Sequence, residues 1–190
     1  DTILDEAIKI SSRVGLEGLT IGTLAEKVGM SKSGLFAHFK SKDALQLAVL
    51  ERAADLFTTK VLVESFSHAR GEPRIQALFE NRIDFLNDES LPGGSIFVAA
   101  SFELDDRPGI LRDYVQKAQR DLIENLEKAA RLAVEEGHFS KNIDVGHFAW
   151  TLYSFVLGYH HSKRMIEDPN AESHLRAAFE GLLSACKPKS

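Results

Sequence analysis

The chain has 190 residues, of which 44% are hydrophobic and 27% are charged, and its formal net charge is -5. This composition predicts one ordinary globular domain, or a small domain fused to a larger one, and the acidic balance argues against a whole-molecule electrostatic grip on DNA or on an anionic membrane. The single cysteine, Cys186, excludes an intramolecular disulfide and fits a reducing compartment. No secretory signal is visible at the start, so we expect a cytoplasmic protein.

Apolar residues recur at helical spacing almost throughout the chain, and no alternating strand pattern is convincing. The pattern predicts a first helix that stops at Gly15 and a short second helix that Thr20 caps and Gly29 closes. Ser31 is expected to cap a very short third helix. A long fourth helix follows, from about Lys42 into the sixties.

Five more helices are predicted after the breaker sequence RGEP. They cover about 74–86, 95–104, 110–136, 145–166 and 172–186, and the breakers NDESLPGG, DDRPG and EDPNA separate some of them. The uncharged run at 145–162 is too polar for a membrane span and fits a buried helix better. We therefore expect an all-α protein of about nine helices, three short and six mostly longer.

The second and third helices, joined through a glycine turn, have the form of a helix-turn-helix. In that motif the N-terminal residues of the recognition helix, here 31–34, meet base edges in the major groove. Lys32 can donate to guanine, and Ser33 can pair with several base edges. Four lysines and one histidine lie within 27–42 with no acid, which indicates a local positive patch on an acidic chain.

Other residues of this segment are suited to the phosphate backbone. Lys42 stands in the first turn of the fourth helix, where free amide groups also favour a phosphate. Gly34 has no side chain and lets the backbone come close to DNA. His38 and Lys40 lie near the same backbone. The alternative interpretation of Lys32, Lys40 and Lys42 is a solvated helix face.

The stretch TIGTLAEKVGMSKSGLFAHFKSKDAL, residues 20–45, resembles the DNA-binding signature of the TetR (tetracycline-repressor) family of bacterial transcriptional regulators. The resemblance covers residues 1 to about 50, and the helical remainder agrees in length and helix count. It implies a helix-turn-helix head at 1–46 and an effector-binding and dimerisation body at 47–190. The chain starts at Asp1, almost inside the first helix, so the basic arm that often precedes this helix in relatives is expected to be missing or trimmed.

The resemblance also implies roles for single residues. Thr20 and Lys42 would hold phosphates that flank the site, Lys32 and Ser33 would face bases, and His38 would contact a phosphate. At position 36 the family usually has tyrosine, so Phe36 keeps only an apolar contact such as one with a thymine methyl, or it belongs to the core. The DNA-binding set is Thr20, Ser31, Lys32, Ser33, Gly34, Phe36, His38 and Lys42.

The resemblance also implies a ligand cavity, because in this family the middle helices form the walls of one. A mostly apolar pocket with few polar anchors needs aromatic residues such as those found here. The candidates are Phe66, Phe79, Arg82, Phe97, Ser101, Phe102, Glu103, Tyr114 and His147, and for the polar ones a structural or surface role is the alternative. His160 and His161 diverge by ~100° on a helix, so no metal site is expected, and no cofactor is implied. No set of nucleophile, base and orienting group can be recognised in the sequence, which argues against an enzyme.

The eighth predicted helix is apolar on nearly all sides, which indicates burial on more than one face. Together with the ninth helix it predicts a four-helix dimer interface, and burial within a monomer is the alternative. The interface candidates are Phe148, Leu152, Phe155, Tyr159, Leu175, Ala178, Phe179 and Leu182.

The function expected from the sequence is that of a homodimeric, ligand-responsive transcriptional regulator. It would act as a repressor that a small, largely apolar molecule releases from a palindromic double-stranded DNA operator. The alternatives are an activator, a regulator without an effector, and a helical ligand-binding protein with a vestigial DNA head. No membrane partner is expected.

Overall fold

The computed structural model describes residues 2–188, so the predicted domain limits at Asp1 and Ser190 lie outside it. These described residues form nine α-helices and no β-strand, which confirms the predicted all-α class. The helices are α1 (Thr2–Gly18), α2 (Ile21–Val28), α3 (Lys32–Phe39), α4 (Lys42–Phe57), α5 (Glu72–Asn87), α6 (Ile96–Glu103), α7 (Ile110–Glu135), α8 (Val145–Arg164) and α9 (Ala171–Cys186). A π-helical stretch, Thr58–Val63, and one α-turn, Glu64–Phe66, continue α4.

The first helix does not simply stop at Gly15, as its sequence predicted, but breaks there and continues for one more turn. Gly15 has φ 76° and ψ 172°, a conformation that is open in practice only to glycine. A β-carbon at this position would also lie 2.9 Å from Oε2 of Glu103. The break is therefore fixed both by the backbone and by a side chain from α6.

The described chain divides into two compact units. The first comprises the residues up to Thr59 together with Asp84–Gln119, and the second comprises Lys60–Ile83 together with the residues from Arg120 onward. This division differs from the predicted boundary between residues 46 and 47, which falls inside α4. The assignment of DNA binding to one side of that boundary, and of effector binding and dimerisation to the other, remains a prediction.

In the first unit, α1 to α4 form a small helical head around fully buried leucines. The leucines with no exposed surface are Leu19, Leu24, Leu35, Leu45 and Leu50. The buried amide of Gln46 on α4 donates a hydrogen bond to the carbonyl oxygen of Leu16 on α1. This bond satisfies a polar group that would otherwise be buried without a partner.

Two later segments of the first unit also hold α1. The N–H of Gly93 donates to Oγ of Ser12 at 3.0 Å, and a β-carbon at Gly93 would collide with the Ser12 carbonyl oxygen. The carboxylate of Glu103 accepts hydrogen bonds from the N–H groups of Leu16 and Glu17, at 2.9 and 2.5 Å. The loop before α6 and the end of α6 therefore belong structurally to the head.

In the second unit, aromatic rings join helices that are distant in sequence. Phe79 of α5 stacks on Phe179 of α9 with ring centroids 3.7 Å apart, and Phe139 packs against Phe148 of α8 at 5.4 Å. Such ring pairs stabilise a core by about 0.5–1.5 kcal/mol beyond the area that they bury. Three of these rings had other predicted roles: Phe79 was predicted to contact a ligand, and Phe148 and Phe179 were predicted to contact a second subunit.

The predicted dimer-interface residues divide between the interior and the surface. Five of the eight are buried within the single chain, namely Phe148, Leu152, Tyr159, Leu175 and Phe179. The other three, Phe155, Ala178 and Leu182, are half-buried. The reason is that the apolar surface of α8 packs inside its own unit on the side that was assigned to a partner. Its outward side instead carries Trp150, which is 61% exposed.

No helix between residues 2 and 188 combines the length and the apolar character that crossing a membrane requires.

Candidate nucleic-acid interface

The turn between α2 and α3 has the geometry that the sequence predicted. Oγ1 of Thr20 accepts a hydrogen bond from the N–H of Thr23 at 3.1 Å, and Oγ1 of Thr23 accepts one from the N–H of Thr20 at 3.2 Å. This reciprocal capping box fixes the start of α2. At the other end, Gly29 is left-handed with φ 68°, and the N–H of Met30 donates to the carbonyl of Ala25 at 2.9 Å. The predicted cap and the predicted glycine stop are both confirmed.

The third helix is capped in the same way. Oγ of Ser31 accepts a hydrogen bond from the N–H of Gly34 at 3.1 Å. A β-carbon at Gly34 would lie 3.0 Å from this oxygen, so the glycine makes room for the cap in addition to the approach to DNA that the sequence predicted. Lys40 ends α3 with φ 62°, and Ser41 caps α4 through the N–H of Ala44 at 3.1 Å.

The outer face of α3 carries the side chains that were predicted to meet DNA. Lys32, Ser33 and His38 are exposed, whereas Leu35 on the opposite face is fully buried. Phe36 is 54% exposed, which places its ring on the surface and not in the core. An exposed aromatic ring beside a lysine and a serine is suited to base edges and thymine methyl groups.

The side chain of Lys32 folds back over the start of α2. Its Nζ lies 3.5 Å from the point that a β-carbon at Gly22 would occupy, and Oγ1 of Thr20 lies 3.7 Å from the same point. The ammonium group therefore rests close to the backbone of Gly22 and to the hydroxyl of Thr20. A cation beside the N-terminus of α2 adds to the positive partial charge of that helix end.

Lys42, predicted to bind a phosphate, is held by Glu17. Its Nζ donates to Oε1 of Glu17 at 2.9 Å and to the backbone carbonyl of Glu17 at 2.8 Å. The other carboxylate oxygen of Glu17 lies 3.5 Å from the guanidinium of Arg107. The hydrogen bond and the charge of Lys42 lower the pKa of the Glu17 carboxyl from its ordinary value, and the charge of Arg107 acts in the same direction.

Glu17 and Arg107 belong to this site although the sequence pattern did not predict them. Lys42 and Glu17 are 25 positions apart, and no local pattern joins them. The only available signal was an acidic residue between two glycines, Gly15 and Gly18, at the end of α1. A salt bridge formed across the fold leaves no periodic trace in the sequence.

The predicted ligand residues of the first unit have different environments. Phe97 and Tyr114 lie near each other with ring centroids 6.5 Å apart, and burial, followed by the charges of Glu51 and Asp55, raises the pKa of Tyr114. Ser101 bonds to a carbonyl of its own helix, and Phe102 is exposed. Glu103 accepts the two backbone hydrogen bonds of α1 described above. The ligand role of these residues remains a prediction, and for Glu103 the structure provides a structural role.

Four other ligand candidates belong to the second unit. Phe79 is buried against Phe179, and Nε of Arg82 is shielded from solvent. Burial lowers the pKa of Arg82 to about 10, against an opposing effect of Tyr153. Phe66 is exposed under the guanidinium of Arg74, and His147 is exposed beside Trp150. The structure thus buries Phe79, leaves Arg82 half-buried and places the other two at the surface.

Comparison with known proteins extends these observations over the whole chain. Residues 3–49 match the family model described as "Bacterial regulatory proteins, tetR family", and residues 71–179 match "Tetracyclin repressor-like, C-terminal domain". The HTH-type transcriptional repressor ComR of Escherichia coli (strain K12) is 24% identical over 165 residues, which cover 86% of this chain and 79% of ComR.

Solved structures share the fold. A TetR transcriptional regulator from Chloroflexus aurantiacus superimposes with a TM-score of 0.84 at 21% identity, over 96% of this chain and 91% of that one. AibR, in complex with isovaleryl coenzyme A and operator DNA, superimposes with a TM-score of 0.73 at 21% identity, over 100% of this chain and 98% of its own. With a capped helix-turn-helix, an all-α architecture and family models that match both parts of the chain, the protein belongs to the TetR family of transcriptional regulators.

Proposed function

We propose that this protein is a homodimeric, ligand-responsive repressor that binds a palindromic operator. The observation that supports this best is the outer face of α3. It presents Lys32, Ser33 and Phe36 to solvent on a helix held from behind by the fully buried Leu35. A short, doubly capped helix pair with a cationic outer face is suited to the major groove.

The proposed contacts divide into those that read bases and those that bind phosphate. Ser33 and Phe36 reach bases from α3, whereas Thr20, His38 and Lys42 lie where phosphates would flank the groove. Lys32 reaches a base by extending away from the start of α2. Two heads would read half-sites about one DNA turn apart, ~34 Å.

The second copy binds, in this proposal, to the outward faces of α8 and α9. On α8 this face includes Trp150 and Gly158, and on α9 it includes Ala177 and Gly181, all of which are exposed in the single chain. A β-carbon at either glycine would meet open space, so a partner helix could approach both backbones closely. Phe155, Ala178 and Leu182 lie at the edge of this face. The five predicted interface residues that are buried in the single chain support this face from the interior.

The effector is proposed to be a small, largely apolar molecule bound in the helical body. AibR has been crystallised with both isovaleryl coenzyme A and operator DNA, and ComR is named a repressor, which supports the same general scheme here. The effector releases the DNA only if it binds the DNA-incompetent state more tightly than the competent one. As an operator-binding regulator, the protein would act in the cytoplasm.

The decisive experiment measures binding of the full chain to a DNA fragment from its own promoter, in competition with mixed-sequence DNA. We expect preferential binding that weakens steeply as the salt concentration rises. Binding without any sequence preference, or no binding at low salt, would contradict the repressor proposal.

A further inference from the structure

Glu17 lies between two cations of the first compact unit. Its Oε1 accepts a hydrogen bond from Nζ of Lys42 at 2.9 Å, and its Oε2 lies 3.5 Å from the guanidinium of Arg107. One carboxylate therefore joins a lysine of the helix-turn-helix head to an arginine in the turn between α6 and α7.

The position of Glu17 is set by its backbone. After the break at Gly15, the N–H groups of Leu16 and Glu17 have no acceptor one turn earlier in the helix, as at any helix start. The Glu103 carboxylate supplies that acceptor at 2.9 and 2.5 Å. Because α6 holds this turn, the side chain of Glu17 remains within reach of Lys42.

We propose that Glu17 competes with the DNA backbone for Lys42, and that Arg107 determines how strongly it competes. This inference rests on the proposed DNA-binding function. Nζ of Lys42 has three N–H donors, and the carbonyl and carboxylate of Glu17 take two of them, so a phosphate that approaches Lys42 from this side replaces the carboxylate. The released carboxylate then stands close to the phosphate and repels it unless another cation neutralises it.

Arg107 is placed to be that cation. It already contacts the carboxylate oxygen that Lys42 leaves unused, so it can remain paired when Lys42 moves to the phosphate. Arg107 thus favours DNA binding through Glu17 and without contact with DNA. Lys42 and Arg107 are both partly exposed, and Glu17 is 64% exposed. The expected effects are therefore those of exposed ion pairs, roughly two- to fivefold in Kd for each head.

The test measures the Kd of the full chain for a fluorescently labelled duplex of mixed sequence at several salt concentrations. Glu17→Gln is expected to tighten binding roughly two- to fivefold and Arg107→Gln to weaken it by a similar factor. The double variant is expected to bind as Glu17→Gln does, because Arg107 acts through the carboxylate. Glu17→Ala serves as a second variant with the same expectation as Glu17→Gln.

A matched control is Arg131→Gln. Arg131 forms an exposed pair with Glu127 at 3.0 Å in the second compact unit, so its loss changes the net charge equally without touching this cluster. Circular dichroism and thermal unfolding verify that every variant is folded. We expect Arg131→Gln to bind the duplex as the wild type does.

Two results would overturn the inference while leaving the proposed function intact. If Arg107→Gln weakens binding equally in the wild type and in Glu17→Gln, Arg107 contacts phosphate directly. If neither Glu17 variant binds more tightly although Lys42→Ala binds more weakly, Glu17 does not compete for Lys42. Failure of the wild type to bind the duplex at low salt would refute the proposed function, and this inference with it.

Discussion

At the scale of single residues, the candidate DNA interface contains two lysines, Lys32 and Lys42, in different environments. Lys42 lies in the first turn of α4 and is bonded to an exposed carboxylate, an arrangement that a phosphate can replace. Lys32 lies on the outer face of α3 and rests over Gly22. Their charges are equal, but their distances from base edges in a docked head would differ.

The first prediction concerns these two lysines. Lys42→Ala should weaken binding to all DNA sequences and reduce the slope of log Kobs against log salt by about one for each head, because one phosphate contact is lost. Lys32→Ala should mainly reduce discrimination between operator and mixed-sequence DNA. Titrations of both variants against both DNAs at several salt concentrations provide the measurement. Equal losses on every sequence from both variants would contradict the assigned roles.

A second prediction concerns Phe36, where the family usually has tyrosine. Because the ring is 54% exposed, Phe36→Tyr should leave the free energy of unfolding unchanged. The added hydroxyl should tighten operator binding by about 0.5–1.5 kcal/mol through a new hydrogen bond to DNA. Phe36→Ala, measured alongside, should weaken operator binding without unfolding the head. A large loss of stability in Phe36→Ala would place the ring in the core.

At the scale of helices, local signals were legible in the sequence and distant contacts were not. Thr20, Gly29 and Ser31 could be identified because each cap depends on residues within four positions of it. The bonds from Glu103 to α1 span 86 and 87 positions, and no spacing rule predicts them. For the same reason Glu103 was assigned to a ligand, since its backbone partners were not visible.

The third prediction tests the break in α1. Gly15→Ala should destabilise the protein by about 1–3 kcal/mol, because alanine is strained at φ 76° and its β-carbon meets the Glu103 carboxylate. Gly22→Ala is the matched control, since Gly22 lies in the regular helix α2 and its added carbon would make only ordinary van der Waals contacts, at 3.4 Å or more. That change should leave stability unchanged or raise it by about 0.5–1 kcal/mol. Urea unfolding measures both, and equal stability of the two variants would contradict the prediction.

At the scale of the whole molecule, the predicted helix number is confirmed, whereas the face that binds a partner remains a prediction. Periodicity shows that α8 is apolar on most sides, but it does not show which side its own unit covers. Phe148 and Leu152 proved to be interior, while Trp150 on the same helix is exposed. Only packing in three dimensions distinguishes these sides.

The fourth prediction is therefore made for the outward face. Trp150→Glu should convert a dimer to a monomer, because it places a charge at the centre of the proposed apolar contact. Ile110→Glu is the control, since Ile110 is 59% exposed at the start of α7 and therefore belongs to neither α8 nor α9. Sedimentation equilibrium across a dilution series provides the measurement. A Trp150→Glu protein that stays dimeric would exclude this face as the interface.

The attachment of α1 to Gly93 and Glu103 has a consequence for the exchange of DNA-binding specificity between relatives. A graft that transplants only residues 1–46 would separate the hydroxyl of Ser12 and the N–H groups of Leu16 and Glu17 from their partners, Gly93 and Glu103. The recipient's own loop and α6 would have to match those groups by chance. Functional chimeras should therefore need the segment from the loop before α6 through Arg107 to travel with the head. The structural unit that carries the DNA-binding helices is therefore discontinuous in sequence.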